Sequence, residues 1–258
     1  MHVRSTAHVG GVEVEFERLP GANEMPTLVF LHEGLGSIRN WREFPAQLCQ
    51  ATGAPGLVYS RYGNGFSSAL RASRPTSYMH DEALETLPAL LDMLSIRSTA
   101  IVGHSDGASI GIIFGAEFPE RVRCLVLEAP HVFVEDLSVR SIADMRAEYE
   151  RRELRNRFAK YHADPDATFY GWNDIWLSPQ FASWNIESSV DRLAAPALVI
   201  QGFDDRYGTI AQVDAICRRH SATDALLLSK CGHAPHRDRP DVVQSTASRW
   251  ILEKVRSA

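Results

Sequence analysis

No stretch of this chain approaches the roughly 18 consecutive apolar residues of a membrane-spanning helix, so no membrane partner is expected. The first twenty residues hold no apolar run long enough for a signal-peptide core, and the expected compartment is the cytoplasm. Basic clusters are missing too. The 27 Lys and Arg are interspersed with 32 Asp and Glu, for a net charge of −5, which leaves no footprint for nucleic acid. Cysteine is sparse: Cys49, Cys124, Cys217 and Cys231 lie far apart, none forms a C-x-x-C pair, and free thiols are expected. Cys231, His233 and His236 sit together, but no second pair with zinc-site spacing accompanies them, so no metal is expected. Gly63-Asn64-Gly65-Phe66-Ser67-Ser68 lacks the third glycine of a dinucleotide fingerprint, and no cofactor is expected. The chain has neither an internal repeat nor a low-complexity segment.

What is present is an ordinary globular composition. With 258 residues, 45% of them hydrophobic, the chain can build one large α/β domain, with or without an insertion. Two short alternating runs around Gly10-Gly11 predict an antiparallel hairpin at a sheet edge. Continuous apolar runs then recur at 27–31, 56–60, 99–102, 122–128, 197–201 and 225–229, as expected of strands buried on both faces. Between them lie helical patterns at 38–50, 77–94, 108–117, 209–220 and 240–255. This alternation predicts a mostly parallel sheet with helices on both faces. It breaks once: 131–191 carries no strand signal, only a mixed-charge helical stretch and a segment rich in Trp172, Trp176, Phe181 and Trp184. The expected arrangement is a core of 1–130 and 192–258, with 131–191 inserted as a helical lid over the strand ends, its tryptophans walling an apolar pocket. The Arg- and Glu-rich stretch 140–160 reads as a solvated helix face with i,i+4 pairs.

The chemistry centres on Gly103-His104-Ser105-Asp106-Gly107, between the run 99–102 and the helix from Ala108. A G-x-S-x-G between strand and helix is the signature of a nucleophile elbow. The central Ser must sit on a tight, strained turn to push its hydroxyl out of the sheet. The flanking positions then approach strand and helix so closely that only hydrogen fits as a side chain. The first amide of the new helix points at the same spot and can donate to an oxyanion. A serine hydroxyl needs a base, and the base a carboxylate. The run 197–201 leads into Gly202-Phe203-Asp204-Asp205, and the run 225–229 into Gly232-His233, so both groups fall at strand carboxyl ends. His104, next to the Ser, is expected to pack, and His236 to lie at the surface or behind the site.

With these motifs, the His32-Glu33-Gly34-Leu35-Gly36 loop and the Gly63-x-Gly65-x-Ser67 loop, the chain resembles lidded α/β-hydrolases over nearly its whole length, 12–255. That branch includes serine esterases, C–C bond hydrolases, epoxide hydrolases and haloalkane dehalogenases. The resemblance implies an eight-stranded, mostly parallel sheet. It implies Ser105 as nucleophile, His233 as general base and then acid, and Asp205, three residues after Gly202, as the orienting carboxylate, with Asp204 the fallback. It also implies the backbone amides of Gly34 and Asp106 as oxyanion donors, with Glu33 a possible substitute for Gly34. A pocket lined by Glu33, Trp172, Trp176 and Trp184 would receive a small-molecule acyl substrate. Two departures stand out. Glu33 follows His32 where the family often has Gly, and its carboxylate is expected to point away or to hold the loop. Arg61 opens the Gly-x-Gly-x-Ser loop where the family often has Asp. Ser rather than Asp at the elbow centre favours acyl transfer on a small or medium ester, thioester or lactone. A C–C hydrolase of vinylogous diketones with the same triad, and a non-catalytic receptor on this fold, are the alternatives. A monomer or homodimer is expected.

Overall fold

The computed structural model describes residues 4–151 and 153–256. Eight strands form one sheet: β1 (Arg4–Val9), β2 (Val12–Leu19), β3 (Thr27–Leu31), β4 (Gly56–Tyr59), β5 (Thr99–His104), β6 (Val122–Glu128), β7 (Ala197–Gly202) and β8 (Thr223–Leu228). Their order across the sheet is β1-β2-β4-β3-β5-β6-β7-β8. β2 runs against both of its neighbours, β1 and β4, and every other pairing is parallel. The edge hairpin is therefore where the alternating pattern placed it.

The continuous apolar runs have a simple cause. In β3, Val29 and Leu31 enter one apolar cluster while Leu28 and Phe30 enter the other, on the opposite face. Ile101 against Ala100 and Val102 in β5, and Val199 against Leu198 and Ile200 in β7, repeat the division. A strand covered on both faces has no polar side to display.

Two helices differ from the sequence expectation. The pattern at 38–50 splits into a tight 3₁₀ turn, Ile38–Trp41, and a helix, Phe44–Thr52, broken at Arg42 with φ 54°. Pro45 thereby falls in a first helical turn, where its missing N–H costs nothing. The pattern at 77–94 passes through a π-helical stretch, Glu82–Thr86, before the helix Leu87–Met93. Pro88 lies just after it and cannot donate to the carbonyl four residues back. The shift turns Leu84 out of the core, to 38% exposure, while Leu87 and Leu91 stay buried.

Between β6 and β7 the chain forms helices Asp136–Glu150, Glu153–Phe158, Pro165–Trp176 and Glu187–Val190. Phe169, Trp176 and Ile142 from this segment share an apolar cluster with one face of the sheet. The charged face reads as expected, with Arg146 3.5 Å from Glu150 one turn on. Among the described residues no helix is long and apolar enough to cross a membrane. Residues that follow β3, β5, β6, β7 and β8 line one cavity together with residues of this helical segment.

Candidate active site

β5 runs directly into Ser105, and the helix Asp106–Glu117 begins at the next residue. Ser105 holds φ 54° and ψ −120°, a conformation that costs an L-residue about 1–3 kcal/mol. The flanking glycines show why the turn tolerates nothing larger. A side-chain carbon on Gly107 would collide with the Leu31 carbonyl, and one on Gly103 would lie 2.5 Å from the Gly107 oxygen.

Three side chains from three loops meet here. His233 Nε2 lies 2.9 Å from Ser105 Oγ, and His233 Nδ1 lies 2.8 Å from Asp205 Oδ2. With Nδ1–H donating to the carboxylate, Nε2 is left to accept the serine proton. Asp205 is held in turn: its Oδ2 accepts from Gln201 Nε2 at 2.8 Å and its Oδ1 from the Tyr207 N–H at 2.8 Å. Burial pushes the Asp205 carboxyl up, but the charge and hydrogen bond of His233, with the Tyr207 N–H, hold it below its ordinary value. Asp204 is exposed, and its N–H donates to the Cys231 carbonyl at 2.9 Å. Of the two adjacent carboxylates, the geometry brings Asp205 to the imidazole.

Gly34 and Asp106 line the same cavity as Ser105. The Trp172 indole occupies the space a Gly34 side chain would need. The loop carrying Gly34 is held by residues that the sequence did not single out for this. Arg61, only 2% exposed, donates from Nη2 to the His32 carbonyl at 3.1 Å and to the Glu33 carbonyl at 2.8 Å. Its Nη1 lies 3.9 Å from Asp106 Oδ2, which also accepts from Tyr78 O–H at 2.6 Å. Asn64 Nδ2 donates to the Gly34 and Gly36 carbonyls at 3.0 and 3.1 Å. His162 accepts from the Gly65 N–H at 2.9 Å and donates to the Leu35 carbonyl at 3.0 Å. The Gly63–Ser67 stretch thus buttresses the first loop. The departure at Arg61 supplies a cation where Asp106 is buried.

Glu33 does hold its loop. Its carboxylate lies 3.5 Å from His104 Nδ1 and 3.6 Å from Arg237 Nη2. Burial would raise this carboxyl, but His104 and Arg237 hold it well below the ordinary glutamate value. His104 does more than pack. Its Nε2 donates to the His233 carbonyl at 2.6 Å. Burial lowers its pKa, yet the Glu33 carboxylate, together with Glu128 and the His233 carbonyl, more than offsets this and the net shift is upward. The surface alternative for His236 is wrong: it is 5% exposed, and its Nδ1 lies 2.8 Å from Glu128 Oε2 at the end of β6. The buried Glu128 carboxylate needs a partner, and the close Phe44 and Trp41 rings leave His236 no path outward. His131 belongs to no sequence motif. It lines the cavity with a buried Nδ1 that meets no hydrogen-bond partner among the described residues, and burial, then the charge of His233, push it down to about 4. It is therefore a neutral imidazole. Only its position after β6, a third strand end, could have pointed to it.

The cavity measures about 350 Å³ and is walled by Ile142, Met145, Trp172 and Trp176 from the helical segment. Trp184 is not among its lining residues. It stacks on Phe181 with ring centroids 5.3 Å apart, one layer behind Trp176.

Comparison with known proteins fits this geometry. The family described as "alpha/beta hydrolase fold" matches residues 26–171, more than half of the chain. The chain belongs to the α/β-hydrolase family. A proline iminopeptidase of Lactobacillus helveticus is 31% identical over 120 residues, 46% of this α/β-hydrolase and 40% of that protein. The match thus spans less than half the length of that relative. The 2-succinyl-6-hydroxy-2,4-cyclohexadiene-1-carboxylate synthase of Enterobacter sp. (strain 638) is 24% identical, covering 92% of this chain and 95% of its own. Among solved structures, the 2-hydroxy-6-oxo-6-phenylhexa-2,4-dienoate hydrolase of a Rhodococcus species superposes with a TM-score of 0.80 at 17% identity, covering 96% of this chain and 98% of that one. That likeness is one of α/β-hydrolase fold.

Proposed function

We propose that this α/β-hydrolase is a cofactor-independent serine hydrolase, cleaving a small or medium carboxylic ester, thioester or lactone through an acyl-enzyme on Ser105. The carrying observation is the relay from Asp205 through His233 to Ser105, with separations of 2.8 and 2.9 Å. His233 takes the Oγ proton as Ser105 attacks the carbonyl carbon, and the Gly34 and Asp106 amides receive the oxyanion. Collapse breaks the bond to the leaving group, which takes that proton from His233. Water, deprotonated by the same imidazole, then attacks the acyl-enzyme and restores Ser105. Asp205 holds the imidazole in the productive tautomer and stabilises its charged form. The helical segment 131–191 acts as a lid that keeps bulk water from the acyl-enzyme.

The test is a short-chain ester assay with mass spectrometry after a serine-reactive phosphonate. The phosphonate is expected on Ser105, and Ser105→Ala should lower kcat by on the order of 10⁴–10⁶. An unlabelled Ser105, or an undiminished variant rate, would refute the proposal. Cleavage of a vinylogous diketone with no ester turnover would move the assignment to C–C bond hydrolysis by the same side chains.

A further inference from the structure

Away from the reacting groups, the cavity carries charge of one sign. The chain as a whole is acidic, at −5, yet Arg42, Arg157, Lys160 and Arg237 all contribute to the cavity lining. Arg42, Arg157 and Lys160 are exposed, so they form its outer rim. The nearby acids do not cancel them. Glu33 faces His104 and Arg237 at 3.5 and 3.6 Å. Asp106 is 1% exposed and faces Arg61 and Tyr78. Among the described residues no carboxylate pairs with Arg42, Arg157 or Lys160.

The rim is also continuous. Arg237 Nη2 donates to the Asn40 carbonyl at 2.7 Å, and Arg39 Nη1 donates to the Lys160 carbonyl at 2.9 Å. The short segment 39–42 therefore joins the loop that carries His233 to the helical segment that carries Arg157 and Lys160. Below the rim the wall turns apolar, with Ile142, Met145, Leu154, Phe158, Trp172 and Trp176. Three cations that line one cavity mouth, with no paired carboxylate among the described residues, repel, a cost that an anionic ligand would relieve. Guanidinium and ammonium groups at a cavity mouth suit carboxylate or phosphate oxygens, which they bind with charge-assisted hydrogen bonds.

We propose that the substrate is an acyl ester or thioester bearing an anionic group, carboxylate or phosphate, that docks on the Arg42–Arg157–Lys160 rim while its apolar acyl portion fills the cavity. This rests on the serine-hydrolase function proposed above. The anion sits either on the leaving group or at the far end of the acyl group, and two matched probe pairs separate these. The butyryl thioesters of pantetheine 4'-phosphate and of pantetheine differ only in a phosphate on the leaving group. The 4-nitrophenyl esters of succinate and of butyrate differ only in a terminal acyl carboxylate.

One anionic probe should exceed its neutral partner in kcat/KM by ~10-fold or more at low ionic strength. Raising salt to about 0.5 M should shrink that ratio severalfold. The double variant Arg157→Gln/Lys160→Gln should bring it close to one. Preference within the thioester pair assigns the anion to the leaving group, and preference within the nitrophenyl pair to the acyl group. Ratios near one in both pairs at low salt, or a preference insensitive to salt and to the double variant, would overturn the anionic assignment, with phosphonate labelling of Ser105 leaving the hydrolase proposal standing. An unlabelled Ser105 would instead remove that proposal and this one together.

Discussion

At the scale of single residues, adjacent side chains of the same chemistry part company. Asp204 and Asp205 are neighbours, but only Asp205 reaches His233. Asp205→Asn should lower kcat by ~10⁴ with KM little changed, because the imidazole loses its productive tautomer. Asp204→Asn should change kcat/KM by no more than a few-fold, and a loss comparable to that of Asp205→Asn would contradict the assignment. His104 gives a pH-dependent prediction. Its pKa is raised by Glu33, so its contribution to stability is fully present below the ordinary imidazole value of about 6.5 and is lost as pH rises through the raised value. The gap in urea midpoint between wild type and His104→Gln should narrow from about pH 6 to pH 9. A constant gap would rule this out.

At the scale of elements, the turn after β5 trades stability for geometry. Ser105→Gly removes the penalty of a positive φ and should stabilise the fold by about 1 kcal/mol while abolishing turnover. Equilibrium denaturation checks the first outcome and the ester assay the second. Gly107→Ala should do the reverse and destabilise by several kcal/mol or prevent soluble expression, since the new carbon meets the Leu31 backbone rather than a movable side chain. Arg61 ties the carboxyl ends of β3 and β4 to the start of the elbow helix. Arg61→Met should cost about 3–5 kcal/mol by leaving Asp106 buried without its cation. These elements were legible to different degrees. The elbow could be read within five residues because its constraint is steric and local. The break in the helix expected over 77–94 is not legible in the sequence, because a π-helical stretch adds a residue without altering composition, and only Pro88 points to it.

For the molecule as a whole, buried charge sets the response to acid. Glu33, Glu128 and Asp205 titrate below their ordinary values despite burial, held there by His104, His236 and His233 respectively. Groups of this kind contribute stability above the ordinary carboxylate range, near pH 4, and lose it as pH falls through their depressed values. Glu82 has the opposite sign, because burial raises its pKa. The balance predicts a urea midpoint that holds level down to about pH 5 and falls from there to about pH 3, and a midpoint unchanged across that lower range would contradict it.

The sheet with its edge hairpin, the elbow, and the strand ends that carry Asp205 and His233 were determined by the sequence alone. Each rests on a period, a steric requirement or a turn that acts over a few residues. Only the tertiary structure decided that Ser105 and His233, 128 residues apart, stand 2.9 Å from one another. The same holds for Arg61 beneath the first loop, His236 on Glu128, Trp184 behind the cavity wall and the basic residues around its mouth. Contacts between buried charges, and the clustering of exposed ones, depend on which strand ends lie side by side. That order is fixed by packing, and no local pattern records it.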